Sequence, residues 1–509
     1  MFKNIHHYVL GILCILAPFL LKAQPPAFVQ NDLNAYITKG MEQWQVPALA
    51  IVVVKDGQVI IRKGFGVRET GKTDPVDENT LFFIASNSKL FTGTALAHLQ
   101  YHKKLSLNDK ITKYFPNYKL YDDLTTQQVT IRDMLTHRIG TKTFQGDFTF
   151  WNTTLSSEQI MERMRLLKPT GIFRQDYGYC NSCFLTAGEV IPKVTGQSWF
   201  QFVTDSINKP LGMTNTYTSS NGLRKKVSNM AVPYTTSFTG KLNRVPDDNW
   251  DNLGPAASMV SNVKDLTNWL MMQLDSGRFE GKSILPWSVL QATRDVQIIT
   301  NSRKSAMYPM HFRGYGLGLN VADYNGRQVY WHTGGAAGMV SNVCFVPKEK
   351  LGIAILTTND NQNFFEALRY QVLDAYLGVA FINRSELALN SFKTVERASL
   401  NEIEEWKKMA GKEPTPRPLE AYTGSYFNEL YGMISFNKMG KGLEAGFQHH
   451  PDLNGTLLHM SGDNWLIEFD NIEYGIHKVH FRENKDGKLE FELKVNDFVE
   501  YDPYIFTKK

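Results

Sequence analysis

The chain has 509 residues, more than one ordinary domain holds, and its 42% hydrophobic content is enough to bury a large core. Its net charge is only +5, with Lys3 and Lys22 inside the first 23 residues. So small and dispersed a surplus argues against nucleic acid or an anionic membrane as partner.

Residues 1–23 read as a secretory signal. Lys3 supplies the positive start, Tyr8 to Leu21 is mostly apolar but too short to span a bilayer comfortably, and Leu21-Lys22-Ala23 fits a cleavage site. A retained N-terminal anchor is the alternative. The chain is therefore expected to be exported, periplasmic or extracellular, with no membrane span after signal removal. Cys14 lacks a small residue just before it and sits in no lipoprotein box. Cys180, Cys183 and Cys344 then remain, too few for a disulfide scaffold. Cys180 and Cys183 have CxxC spacing but lack the second pair of a four-cysteine zinc site, and are expected to be buried thiols.

Residues 48–54 predict a buried strand, Asp56-Gly57 a hairpin turn, and 59–61 the returning strand. A helix is expected over 86 to about 103. His98 and His102 lie on it at i,i+4 without the glutamate of a zinc-protease motif, and read as ordinary helix histidines. Helical and loop segments fill roughly 86–300. Strands return at 329–332, 339–345 and 351–357, and residues 364–377 predict a closing helix. A linker over 381–415 contains a short charged helix at 402–409 and the stiffening Pro414, Pro416 and Pro418. Beyond it, 416–509 shows strands and turns only, with strict alternation over 488–495, and reads as a small antiparallel β accessory domain. His449-His450 with Asp452 lacks further ligands at metal spacing and reads as a polar turn. No metal site or cofactor motif is evident.

The chemistry concentrates in three motifs. Ser86-Asn87-Ser88-Lys89 sets a hydroxyl and an amine three residues apart at a helix start, so Lys89 can reach Ser86. Serine needs an adjacent base to become a nucleophile, and lysine can serve only if its surroundings keep it neutral. Tyr179-Cys180-Asn181 is the second motif, with Tyr177 as a competitor that lacks an asparagine two positions on. His332-Thr333-Gly334-Gly335, after the strand-like 328–331, is the third.

In order and spacing these motifs resemble the serine β-lactamase and penicillin-binding-protein superfamily, most of all the class C β-lactamase-like serine hydrolases. Thr130 to His137, Pro210-Leu211-Gly212-Met213, Ala257 to Ser261 and Tyr315-Gly316-Leu317-Gly318 fit as well, and the likeness covers about residues 30–377. The resemblance implies an α+β hydrolase domain over 24–380, an antiparallel sheet completed by both ends beside a helical region, with the all-β domain following it. It implies Ser86 as nucleophile, Lys89 as general base, and Tyr179 as proton shuttle. Asn181, His332, Thr333, Gly334 and Gly335 would bind substrate, with the N–H groups of Ser86 and Gly335 receiving the oxyanion. Lysine is usual in β-lactamases where this chain has His332. The expected activity is therefore hydrolysis of amide or ester bonds in small-molecule or short-peptide substrates, D-residue peptides among them. A β-lactamase, or a penicillin-binding sensor that acylates without turnover, are the alternatives. His332 is expected to gain charge by pH 5.5 and then to favour carboxylated substrates.

Overall fold

The computed structural model describes residues 24–509; the signal read over 1–23 lies outside them. The run Ala48–Lys55 does not alternate, because both of its faces are covered. Ala48, Ala50, Val52 and Val54 pack beneath the helical region, and Leu49, Ile51 and Val53 beneath the closing helix Phe364–Leu377. This strand pairs antiparallel with Gln58–Gly66 on one side and with Leu351–Thr358 on the other, so the two ends of the domain meet at the sheet's centre. The eight-stranded sheet continues through Met339–Val346, Arg327–Ala336, Asn320–Tyr324, Arg313–Tyr315 and Ile298–Asn301. The helical region falls between the second strand and the Ile298–Asn301 strand, and the functional motifs meet where it abuts Arg327–Ala336.

The expected linker contains far more helix than the short segment at 402–409. Arg384–Met409 is one helix of 26 residues, capped by the Asn383 side chain, which accepts from the Glu386 N–H at 3.1 Å. Its start is locked by a buried ion pair, Arg384 Nε to Asp374 Oδ2 at 2.7 Å. Removing one partner of such a pair costs about 3–5 kcal/mol. The helix escapes a sequence reading because its few apolar residues serve two different neighbours: Phe392 packs on Trp44, and Ile403 on the C-terminal domain.

That domain is a closed eight-stranded antiparallel barrel, its first strand Gly424–Asn428 pairing with its last, Tyr504–Lys508. Closure leaves no free edge. Tyr426, Phe436, Phe481, Phe491 and Phe506 fill its interior. The barrel grips the hydrolase domain around Phe148, whose ring stacks on Tyr431 at 4.9 Å and on His450 at 5.3 Å. His450 Nε2 donates to the Trp151 carbonyl at 2.7 Å, and its Nδ1 accepts from Tyr431 at 2.8 Å. The His449-His450 pair is thus neither a polar surface turn nor a ligand patch. His450 is a buried pin of the joint, and among the described residues no group of three His, Cys, Asp or Glu side chains could hold a metal.

The same interface buries carboxyl groups from both sides. Asp248 accepts from the Ala337 N–H and Asp360 from the Gly338 N–H, while Glu473 of the barrel leaves one carboxyl oxygen unpartnered. Burial raises all three; Asp360 rises to about 6, and the nearby Asp248 and Asp360 push Glu473 well above its ordinary range. A carboxyl whose folded pKa is raised stabilises the fold below its unfolded value near 4.5, and that contribution is lost as pH rises towards the folded value. Buried neutral histidines such as His450, held at about 4, act in the opposite sense over part of this range. The expected signature is therefore a difference. The thermal midpoint of Glu473→Gln minus that of wild type should be more positive at pH 8 than at pH 5, read by calorimetry at both values.

Candidate active site

The helix expected from residue 86 begins with a tight 3₁₀ turn, Ala85–Asn87, followed by the helix Ser88–Tyr101. Ala85 sits at φ +46°, a costly conformation for a residue with a side chain, of the kind that clusters at functional sites. The turn is held by two residues that the sequence reading passed over. Ser88 Oγ donates to the Ala85 carbonyl at 2.6 Å and accepts from the Met259 N–H at 3.0 Å, while Asn87 Nδ2 donates to Ser341 at 2.8 Å. Ser86 is left partly open to the cavity.

Lys89 lies one turn below it and is fully buried. Its three N–H donors all have partners: Ser86 Oγ at 3.0 Å, Asn181 Oδ1 at 2.7 Å and the Ala256 carbonyl at 2.9 Å. Desolvation lowers the amine to about 7, against a partial upward pull from Asp147 and Cys180. The Tyr179 phenol also has Ser86 as a hydrogen-bond partner, and its ring centroid is 4.8 Å from Lys89 Nζ. Tyr179 is fixed through its backbone, its N–H donating to Thr143 Oγ1 at 3.1 Å and its carbonyl accepting from Phe144 at 2.8 Å. Tyr177 lines the same cavity and packs on Tyr315, with ring centroids 5.6 Å apart.

Asn181 opens the helix Asn181–Gly188, and Cys180 before it is extended. This places Tyr179 and Asn181 together on the Lys89 side. The Asn181 amide donates to Asp147 Oδ2 at 2.7 Å. Asp147 is fully buried, which raises its carboxyl to about 8. Residues flanking it are in turn held by the barrel. Glu500 accepts from the Gly146 and Phe148 N–H groups at 2.8 and 2.9 Å and from the Tyr504 hydroxyl at 2.7 Å. Ser86, Lys89, Asn181 and Asp147 therefore form one hydrogen-bonded line, braced at its far end by a residue of the C-terminal domain.

The strand Arg327–Ala336 brings the third motif alongside. A Cβ at Gly334 would lie 2.0 Å from the Ile84 carbonyl oxygen, so only glycine lets the strand press against the turn that carries Ser86. A Cβ at Gly335 would lie 2.7 Å from the ring of Phe498, a barrel residue. Thr333 Oγ1 accepts from Asn342 at 2.9 Å, which leaves its own hydrogen free to donate. His332 differs from the sequence expectation. Its Nδ1 donates to the Thr333 carbonyl at 2.7 Å and its Nε2 accepts from Tyr315 at 3.0 Å. Burial, with Lys89 nearby, lowers it to about 3, so it stays neutral at pH 5.5 and does not become the expected cation.

These groups line a cavity of about 580 Å³, to which Ser86, Tyr179, Asn181, His332, Thr333 and Gly335 contribute, with Gly334 and Lys89 behind its wall. Lysine and arginine are absent from its lining, whose charged members are Asp360 and Asp497. The barrel supplies Asn496, Asp497, Phe498 and Tyr501. The C-terminal domain is thus part of the cavity and not the separable appendage expected from the Pro-rich junction. The sequence offered no signal for this, because 496–501 reads as an ordinary turn after an alternating strand. Cys180 and Cys183 are free and buried, as their reading as thiols anticipated.

The family model described as Beta-lactamase matches residues 33–377, and one described as a domain of unknown function, DUF3471, matches residues 408–502. Unguisins hydrolase ungD' of Aspergillus campestris (strain IBT 28561) is 25% identical over 428 residues, 80% of this chain and 77% of that protein. Protein flp of Staphylococcus aureus (strain MRSA252) is 26% identical over 339 residues, 65% of this chain and 64% of that protein. The octameric penicillin-binding protein homologue from Pyrococcus abyssi shares the fold, with a TM-score of 0.60 at 21% identity, over 94% of this chain and 99% of that one. The chain belongs to the beta-lactamase family, as a β-lactamase-like serine hydrolase whose α+β domain is joined to a C-terminal all-β barrel.

Proposed function

We propose that this protein acts after export as a hydrolase that cleaves amide or ester bonds of small substrates, D-residue peptides among them, through an acyl-enzyme on Ser86. The observation that carries this reading is the fully buried amine of Lys89, 3.0 Å from Ser86 Oγ and lowered to about 7. Neutral Lys89 takes the Ser86 proton as Oγ attacks the carbonyl carbon. The oxyanion that forms is received by the N–H groups of Ser86 and Gly335. Tyr179 passes the proton to the leaving amine or alcohol, and the carbonyl reforms as that bond breaks. Water then repeats the sequence on the acyl-enzyme and frees Ser86. Asp147 and Glu500 act as positioning residues: they orient Asn181, which with the Ala256 carbonyl aims Lys89 at Ser86. The relative named unguisins hydrolase is consistent with hydrolysis of small compounds.

The cavity's charge favours substrates without a carboxylate beside the scissile bond. It carries two aspartates and no lysine or arginine, and the His332 donor is already committed to the Thr333 carbonyl. A charge-assisted hydrogen bond is roughly twice as strong as a neutral one, and this cavity offers a carboxylate none from a cationic side chain on its wall.

Ser86→Ala should abolish labelling by a fluorophosphonate probe, with the wild-type adduct mapped to Ser86 by mass spectrometry. At pH 8 the enzyme should show higher kcat/KM on p-nitrophenyl acetate than on nitrocefin. The reverse order would favour a β-lactamase, and a burst without steady turnover a sensor. The labelling rate should rise with pH through about 7, as Lys89 loses its proton. Because Asp147 favours protonated Lys89, Asp147→Asn should move that limb to lower pH and lower the plateau about tenfold through misplacement of the amine. A chain ending at Pro414 loses Phe498, Glu500 and Tyr501 and should lose most of the labelling rate. Glu500→Gln in the full chain, expected to cost about tenfold, tests the same contact without removing the barrel.

A further inference from the structure

The helix Arg384–Met409 runs from the hydrolase domain to the barrel with Phe392, Val395, Ser399, Ile403 and Trp406 along one stripe, at spacings of three and four. Both ends of the stripe are covered. The Phe392 ring lies 5.1 Å from that of Trp44, and Ile403 and Trp406 pack with Met460, Leu466 and Ile476 of the barrel. The middle is not. Ser399 has no bulk to fill the space, and Val395 is 71% exposed, unusual for a β-branched aliphatic residue facing its own domain joint.

The gap is a cavity of about 370 Å³ between this helix, the barrel and the 236–238 loop. Phe238 walls one side, its ring 5.3 Å from that of His477, and Leu400 and Ile476 add apolar surface. Lys494, the cation in its lining, is occupied: its Nζ lies 2.6 Å from both Asp497 Oδ1 and the Glu500 carbonyl. Four residues, Ser237, Asn361, Asn496 and Asp497, line both this cavity and the one that holds Ser86. The two hollows are therefore neighbours across a shared polar sill. A helix, roughly 10 Å across with its side chains, is too bulky an occupant for a hollow of this size.

We propose that the two cavities form one substrate cleft, and that the second is a subsite for an uncharged apolar segment of the substrate, an aliphatic chain or aromatic side chain, whose scissile carbonyl lies at Ser86. This rests on the hydrolase reading above. The sill favours a neutral polar group, such as an amide or ester linkage, between the reacting carbonyl and the apolar end. The barrel thereby selects substrate as well as bracing the lysine.

The test is kcat/KM of the full-length enzyme for p-nitrophenyl acetate, butyrate, hexanoate and octanoate. In wild type the octanoate-to-acetate ratio should exceed ten, since each buried methylene is worth about two- to fourfold. Ser399→Trp, which fills the hollow, should lower that ratio at least tenfold. Val395→Asp, at an exposed position where folding is little threatened, should lower it in the same direction. A wild-type enzyme that hydrolyses all four esters with a flat ratio, or a folded Ser399→Trp or Val395→Asp that keeps the wild-type ratio, overturns the subsite and leaves the hydrolase reading intact. A wild-type enzyme that neither hydrolyses any ester nor reacts with a fluorophosphonate overturns both.

Discussion

An uncompensated lysine in a dry interior is the constraint around which this molecule is arranged. Lys89 has no carboxylate in direct contact; its three donors meet a hydroxyl, an amide oxygen and a backbone carbonyl. Those acceptors satisfy hydrogen bonding without restoring the charge balance, which is why the amine sits near 7 and not near its ordinary 10.5. The nearest counter-charge, Asp147, is held one amide away behind Asn181. That distance is chemically useful. Placed directly on the amine, the carboxylate would keep it protonated and useless as a base; placed further off, it would leave Asn181 unoriented.

Holding such a group requires neighbours from distant parts of the chain. Ser86 and Lys89 come from one helix start, Asn181 from another, Ala256 from a third segment, and the support for Asp147 from Glu500 of the barrel. The barrel's grip on Phe148 and the Glu500 contacts to Gly146 and Phe148 converge on one short segment, Asp147–Phe150. Docking of the C-terminal domain and orientation of the lysine are therefore the same structural event. A helix of four residues has little stability of its own, and side-chain acceptors at its start matter correspondingly more.

The approach of Arg327–Ala336 to the Ser86 turn follows a similar logic. Two glycines in succession let backbone meet backbone at Gly334 and leave room for Phe498 over Gly335. What the strand does not bring is charge. With His332 tied into the Tyr315 and Thr333 contacts, the cavity recognises substrate through shape, aromatic surface and neutral donors.

The parts of this protein legible in its sequence are those made by residues close together along the chain. Ser86 and Lys89 are three apart on one helix face, and Tyr179 and Asn181 two apart before a helix. The strands at 48–54 and 351–357 and the helix at 364–377 follow from local pattern, and their family likeness implied how they assemble. The long helix Arg384–Met409 was not legible beyond its last turn, because its apolar stripe is shared between two domains and never forms one continuous face. Nor was the neutral, fully committed state of His332, which depends on Tyr315 and on burial that no local pattern announces. Asp147, Glu500, Phe498 and the second cavity were invisible for the same reason. Local spacing determines which side chains can meet within one element, whereas desolvation and contacts between residues hundreds of positions apart exist only once the barrel has closed and docked.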